Sequence, residues 1–257
     1  MITKNVLLII VFLSFTISTI AQTTAGDESD VQPRYIIDTP TAGLLHQGGF
    51  ALDIDFFQQG GMLIGLSAGA LERLNFGIAY GGSHIIGSDK IVWQKLPGVQ
   101  LKFRLFDEGS DVMPAIALGF DSQGKEHYID STNRFTIKSR GFYATASKNY
   151  EFLGNLAFHG GINMSLERGD DDKDLNFFTG LEKSLGTDMS LLVEYDFAFN
   201  DNGPRSLGRG KGYLNAGLRW SFGNGFTLGI DLKNINRNQE IFTVGNRVIR
   251  IEYVRGL

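Results

Sequence analysis

Thirteen ionisable residues recur at alternate positions within otherwise apolar stretches of this 257-residue chain. They are Asp53, Asp55, Lys102, Arg104, His159, Glu182, Glu194, Asp196, Arg219, Asp231, Lys233, Arg250 and Glu252. Both signs are present, so a closed face built from them can pair with itself as a ladder of interior salt bridges. The same face around an open passage makes a polar channel for a small or anionic solute. Glu194 and Asp196 lie two apart on one face, but a catalytic carboxylate pair needs a second site across a gap, and the sequence supplies none. His159 shares its face with Asn155 and Asn163, with Ser147 or Ser165 as conceivable nucleophiles. A nucleophile has to meet its base in space, and spacing along the chain does not show that meeting. No catalytic residue is assigned.

Two loops carry further charge. Gly169 to Asp174 reads Gly-Asp-Asp-Asp-Lys-Asp, without the ligand spacing or the glycine of an EF-hand loop. It is expected to be a solvated tip, with divalent-ion contact to lipopolysaccharide as the alternative. Gly203 to Gly212 is basic and glycine-rich, but it follows no parallel strand and opens no helix, so it is not a phosphate loop. A mobile outer loop is expected there. Cysteine is absent, which removes disulfides, thiolate metal sites and thiol nucleophiles. Neither a metal nor a cofactor is expected. Lys and Arg number 24 against 28 Asp and Glu, a mild balance that points away from nucleic acid.

The elements that position these residues show a strict period of two. From Met189 to Phe199 the odd positions are apolar and the even ones mostly polar, and the pattern resumes from Tyr213 to Phe222. Strands of about ten residues are longer than the usual strand of a soluble domain and match what a tilted strand needs to cross a bilayer. The same pattern predicts about twelve strands between Phe50 and Tyr253. Their connections alternate: short near Leu71, Asp107 to Asp111, Glu151, Gly186 and Gly223 to Gly225, and long from Ser83 to Leu96, Ser122 to Arg140, Glu167 to Asp174, Asn200 to Gly210 and Ile235 to Asn246. An even strand number with short turns at one end and long loops at the other is the pattern of an outer-membrane barrel. A soluble secreted sandwich that binds a partner shares the period of two. Strand length, loop alternation and aromatics near strand ends (Phe197, Phe199, Trp220, Phe222, Phe226) favour the barrel. The last residues, Tyr253 to Leu257, lack the terminal aromatic of many such barrels.

Lys4 followed by an apolar run from Val6 to Ile20, with small residues before Gln22, predicts a cleavable signal peptide over residues 1–21. A flexible N-terminal segment is expected over residues 22–46, with Arg34 to Gly43 as a compact stretch closing on a turn. The barrel is expected over residues 47–257. The fold expectation is thus an all-β, antiparallel transmembrane barrel in the outer membrane.

Met113-Pro-Ala-Ile-Ala-Leu-Gly-Phe-Asp-Ser-Gln-Gly124, Gly141-Phe-Tyr-Ala-Thr-Ala-Ser-Lys-Asn-Tyr150 and Asp38-Thr-Pro-Thr-Ala42 resemble motifs of the YjbH-like family of outer-membrane barrel proteins. The resemblance runs roughly from Arg34 to Asp201, and its motifs are structural. It implies a non-enzymatic barrel concerned with exopolysaccharide or capsule export or envelope assembly. Its expected partners are outer-membrane lipid or lipopolysaccharide, polysaccharide and envelope-assembly proteins. A narrow channel for small polar solutes, or a lipid- or glycan-modifying barrel enzyme, is the alternative.

Overall fold

A computed structural model describes residues 22–109, 112–239 and 246–256. The expected signal peptide over residues 1–21 lies outside the described residues, as do parts of the Asp107–Asp111 turn and of the Ile235–Asn246 loop. Among the described residues twelve long strands follow the alternating segments: β1 (Phe50–Phe57), β2 (Gly61–Leu71), β3 (Leu74–Ser83), β4 (Gly98–Phe106), β5 (Ala115–Asp121), β6 (Gly141–Glu151), β7 (Asn155–Met164), β8 (Asn176–Ser184), β9 (Met189–Asp196), β10 (Tyr213–Ser221), β11 (Phe226–Lys233) and β12 (Asn246–Arg255). Each pairs antiparallel with its neighbours in the chain, and β1 pairs with β12 from Phe50↔Arg255 to Phe56↔Ile249. That last pairing closes the barrel and removes the open sheet edges that lipid cannot satisfy.

The period of two sorts the side chains by face. On β9 and β10, Leu191, Val193 and Trp220 are exposed, while Glu194, Asp196 and Arg219 are buried. Apolar side chains thus face outward and charged ones face inward, the inverse of a soluble sandwich. Aromatic residues cluster at the ends of this outer belt. At the short-turn end the rings of Trp220 and Phe222 lie 5.8 Å apart and those of Phe226 and Tyr253 4.7 Å apart. At the long-loop end Tyr195, Phe197 and Phe199 form a second group, and Tyr80 stacks on Trp93 at 5.7 Å. Two aromatic girdles around an apolar band mark the levels of the lipid headgroups.

The outer belt yields a first expected result. Ile230 is 55% exposed at the middle of β11. An arginine there should destabilise folding into lipid vesicles by about 2–4 kcal/mol, the cost of a cation on the lipid face near the midplane. Urea titration of the vesicle-inserted protein reads this directly, and a loss within a few tenths of a kcal/mol would mean that β11 does not face lipid.

The N-terminal segment departs from expectation. Residues 22–46 were expected to be flexible; they instead run inside the barrel as a hairpin whose feet lie at the short-turn end. The Asp27 amide donates to the Gly186 carbonyl in the β8–β9 turn, 2.9 Å, and the second leg leads into β1. At the tip, the Ile36 amide donates to the Thr39 carbonyl, 3.0 Å, and the Thr41 amide to the Arg34 carbonyl, 3.1 Å. Gly43 lets the two legs touch: a Cβ there would meet the Pro33 carbonyl oxygen at 2.4 Å. Val31, Ile36, Ile37, Ala42 and Leu45 are buried, each large one contributing roughly 1.5–3 kcal/mol through lost contact with water. The segment is polar and small-residue rich, which looks flexible in isolation; the barrel interior supplies the partners that order it.

Candidate functional site

All thirteen predicted ionisable residues lie on the inward faces of their strands. Two interstrand pairs hold within the wall: Arg219 with Asp231, and Arg250 with Asp55, whose nearer contact is 2.6 Å. Arg140, beside β6, pairs with Asp196. Most of the remaining inward charges turn toward the hairpin, while Glu182 and His159 bond to the wall serines Ser190 and Ser147. Glu194, fully buried, accepts the amides of Ile37, Asp38 and Thr39 at 3.0, 2.9 and 2.8 Å and the Thr39 hydroxyl at 2.7 Å. Asn215 donates to its other oxygen at 2.8 Å. Lys102 donates to the carbonyls of Arg34 and Gly43 at 2.8 and 3.2 Å, and Arg104 donates to that of Ala42 at 3.0 Å. Glu182 is buried beside Ser190, which donates to its carboxyl.

Two hairpin charges complete the set, and neither was among the predicted residues. Arg34 reaches Asp53 and Glu252 at 2.7 Å each and Ser67 at 2.9 Å. Asp38, near the tip, pairs with Lys233 at 2.6 Å. The signal for Arg34 was available in the inward list, which holds seven acids against five bases apart from His159. An enclosed face with that imbalance needs a cation from elsewhere, because buried charge is costly unless paired.

The long loops close the other end. A short hairpin formed by Lys125–Ile129 and Arg134–Ile137 folds into the mouth. Lys233 also reaches its Glu126 at 3.0 Å, so one ammonium ties the plug tip to the outer loops. Lys125 lies 5.3 Å over the Tyr35 ring and 3.9 Å from Asp55. Arg134, fully buried, pairs with Asp170 and Asp201, and Lys138 pairs with Asp170 at 2.8 Å. The acidic run from Gly169 to Asp174 is therefore only partly a solvated tip: Asp170 and Asp172 are buried in this network, while Asp171, Lys173 and Asp174 are exposed. The basic loop is likewise anchored, with Gly208 bridged to Gln239 and Ser206 donating to Asp172 at 3.1 Å. Hydrogen bonds from the Asn202 and Gly203 amides and Ser206 outweigh burial and hold the Asp172 carboxyl below the usual carboxylate range.

With both ends occupied, little interior space is left. The interior cavities measure about 10–30 Å³ each, room for a water molecule or so. A larger cavity, about 410 Å³, lies at the long-loop rim, lined by Leu96, Phe120, Tyr128, Phe135, Leu166 and Glu167 among others. Burial in that rim pushes the Glu167 carboxyl up to about 7, against the opposing effect of the Ser139 amide that donates to it at 3.1 Å. A raised carboxyl binds its proton more tightly in the folded state, so folding of this rim loses support as pH rises from about 4.5 to about 7. The protection of the 125–140 amides, measured relative to their intrinsic exchange rates at each pH, is expected to fall over that window, and Glu167→Gln should flatten the fall. Unchanged pH dependence in that variant would assign it to other groups.

Ser147 and His159 do meet: the hydroxyl and Nδ1 are 2.8 Å apart across β6 and β7. The same hydroxyl accepts the Ala42 amide of the hairpin at 2.9 Å, so the pair is enclosed between wall and plug. It is a buried hydrogen bond between wall and plug. Ser165, the other conceivable nucleophile, instead accepts the Glu167 amide at 3.1 Å. Among the described residues no group of three or more potential ligands is placed to hold a metal ion.

No family model matches the chain, and no curated protein matches it by sequence. Solved structures do match. The KdgM porin superposes with a TM-score of 0.51 at 11% identity, over 80% of this chain and 98% of that one. The NanC porin gives 0.48 at 11% identity, over 81% and 99%. Omp33 of Acinetobacter baumannii gives 0.42 at 9% identity, over 83% and 98%. At these identities the likeness is one of fold. The chain is an outer-membrane β-barrel: its closed strand order, apolar outer belt and aromatic girdles match that architecture and place it in the outer membrane.

Proposed function

We propose that this protein is a non-enzymatic outer-membrane channel for small polar solutes, closed at rest by its own N-terminal hairpin. The observation that carries the reading is how the hairpin is held. Its strongest contacts are ion pairs and hydrogen bonds to a polar wall, which water can replace when the hairpin moves. A permanent filler needs no such wall, since apolar packing does the same work without the desolvation cost of buried charge. The fold shared with the KdgM porin supports a channel. A role in exopolysaccharide or capsule export rests on the sequence resemblance alone. Contacts with lipopolysaccharide, through the exposed acids of the 169–174 loop, and with envelope-assembly proteins belong to the same proposal.

Reconstitution in planar bilayers tests the reading. The natural chain should show low conductance with brief step openings under applied voltage, and variants that loosen the hairpin should open more often. Loosened variants that pass no ions would overturn it.

A further inference from the structure

We propose that Asp53 and Glu252, with Ser67, form a cation subsite on the solute path, occupied by the Arg34 guanidinium while the channel is closed. The open channel then favours guanidinium- or ammonium-bearing solutes over anions. This rests on the channel reading above.

The argument begins with register. Asp53 on β1 and Glu252 on β12 are direct partners across the strand pair that closes the barrel. Like charges directly opposite one another are destabilising, so this position calls for a cation. Among the described residues no wall side chain is bonded to either carboxylate as a cation: Arg250, the nearest candidate by sequence, is spent on Asp55 through two hydrogen bonds. Arg34 provides it from the hairpin, reaching both carboxylates with Nη2 and the Ser67 hydroxyl with Nη1. A planar guanidinium held by carboxylates and a hydroxyl is a built recognition site whose present ligand belongs to the chain itself. A cavity of about 20 Å³, lined also by Thr24 and Glu182, adjoins it.

The charge left by a departing hairpin has the same sign. The Arg219–Asp231, Arg250–Asp55, Arg140–Asp196 and Lys233–Glu126 pairs do not involve the hairpin and persist. Asp53, Glu182, Glu194, Glu252 and Asp121 then face water, against Lys102, Lys125 and the Arg104 guanidinium released from the Ala42 carbonyl, so the acids still outnumber the bases. A passage lined with an excess of one sign concentrates ions of the other.

The test uses the full chain carrying Arg34→Ala in bilayers of neutral lipid under a potassium chloride gradient. The reversal potential should lie on the cation side, and guanidinium chloride should reduce the potassium current. Adding Asp53→Asn and Glu252→Gln should lower the cation-to-anion permeability ratio several-fold and abolish the guanidinium effect. Brief openings of the natural chain give an independent reversal potential, so the inference does not depend on any one variant folding. A potential on the anion side, or a ratio indifferent to Asp53 and Glu252, overturns the subsite while leaving the channel standing. Absence of conductance in every form overturns both.

Discussion

Replacing Glu194 by alanine is expected to release the tip of the hairpin and raise the open fraction of the channel well above that of the natural chain. One carboxylate serves three consecutive amides and a hydroxyl there. Without it, three buried N–H groups lose their acceptor at roughly 1–3 kcal/mol each. The apolar contribution that keeps the tip in place comes from Ile36 and Ile37, roughly 1.5–3 kcal/mol apiece. The two terms nearly cancel, so the tip passes from firmly seated to exchanging with a hydrated state. Glu194→Gln separates the causes, because its amide oxygen still accepts while the charge is gone; a much smaller effect is expected. Limited proteolysis of residues 22–46 in vesicles should follow the same order, with alanine most sensitive. Equal conductance in all three forms would show that this carboxylate does not hold the plug.

The second large effect belongs to Arg34→Ala. Breaking a buried ion pair by removing one partner costs about 3–5 kcal/mol, because the other charge is left without compensation. Here two carboxylates are left, Asp53 and Glu252, and they face each other. Water is the cheapest way to relieve them, and water can enter only if the hairpin moves. The expected result is therefore a larger open fraction with little loss of the barrel itself, since the wall's own ladder does not involve Arg34. Gel mobility before and after boiling reads the barrel, and conductance reads the plug. A variant that loses heat-modifiability would show that the hairpin is needed to fold the barrel, contradicting its role as a separable plug.

The barrel was legible in the sequence because its signal is local. Alternation along β9 and β10 sorted Leu191, Val193 and Trp220 from Glu194, Asp196 and Arg219, and connection lengths showed which strand ends lie together. The inward residues could be named for the same reason. Their partners could not, because pairing across a lumen depends on what else fills it. Residues 22–46 have no period, and their order comes from contacts such as those of Arg34 with Asp53 and Glu252, more than two hundred residues apart in the latter case. The stretch from Arg34 to Gly43 announced a turn and nothing about its location. Gly180 is a partial clue seen only afterwards: a Cβ on that inward position would sit 2.2 Å from the Ile36 side chain. The loop charges misled for a related reason. Asp170 reads as solvated until Arg134 and Lys138, more than thirty residues earlier, are placed around it.

The central claim is that a single hairpin decides whether the lumen conducts, and one crosslink tests it. The hydroxyls of Thr24 on the hairpin and Thr227 on β11 lie 2.9 Å apart, close enough for cysteines at these positions to meet the roughly 2.05 Å sulfur–sulfur bond. The chain has no other cysteine, so the pair forms without competition. With the second leg already continuous with β1, the bond fixes both feet of the hairpin. The measurement is single-channel conductance of Thr24→Cys/Thr227→Cys in planar bilayers, oxidised and then reduced. Openings should vanish on oxidation and return with reductant. Steady conductance that ignores the crosslink would place the ion path elsewhere and contradict the plug.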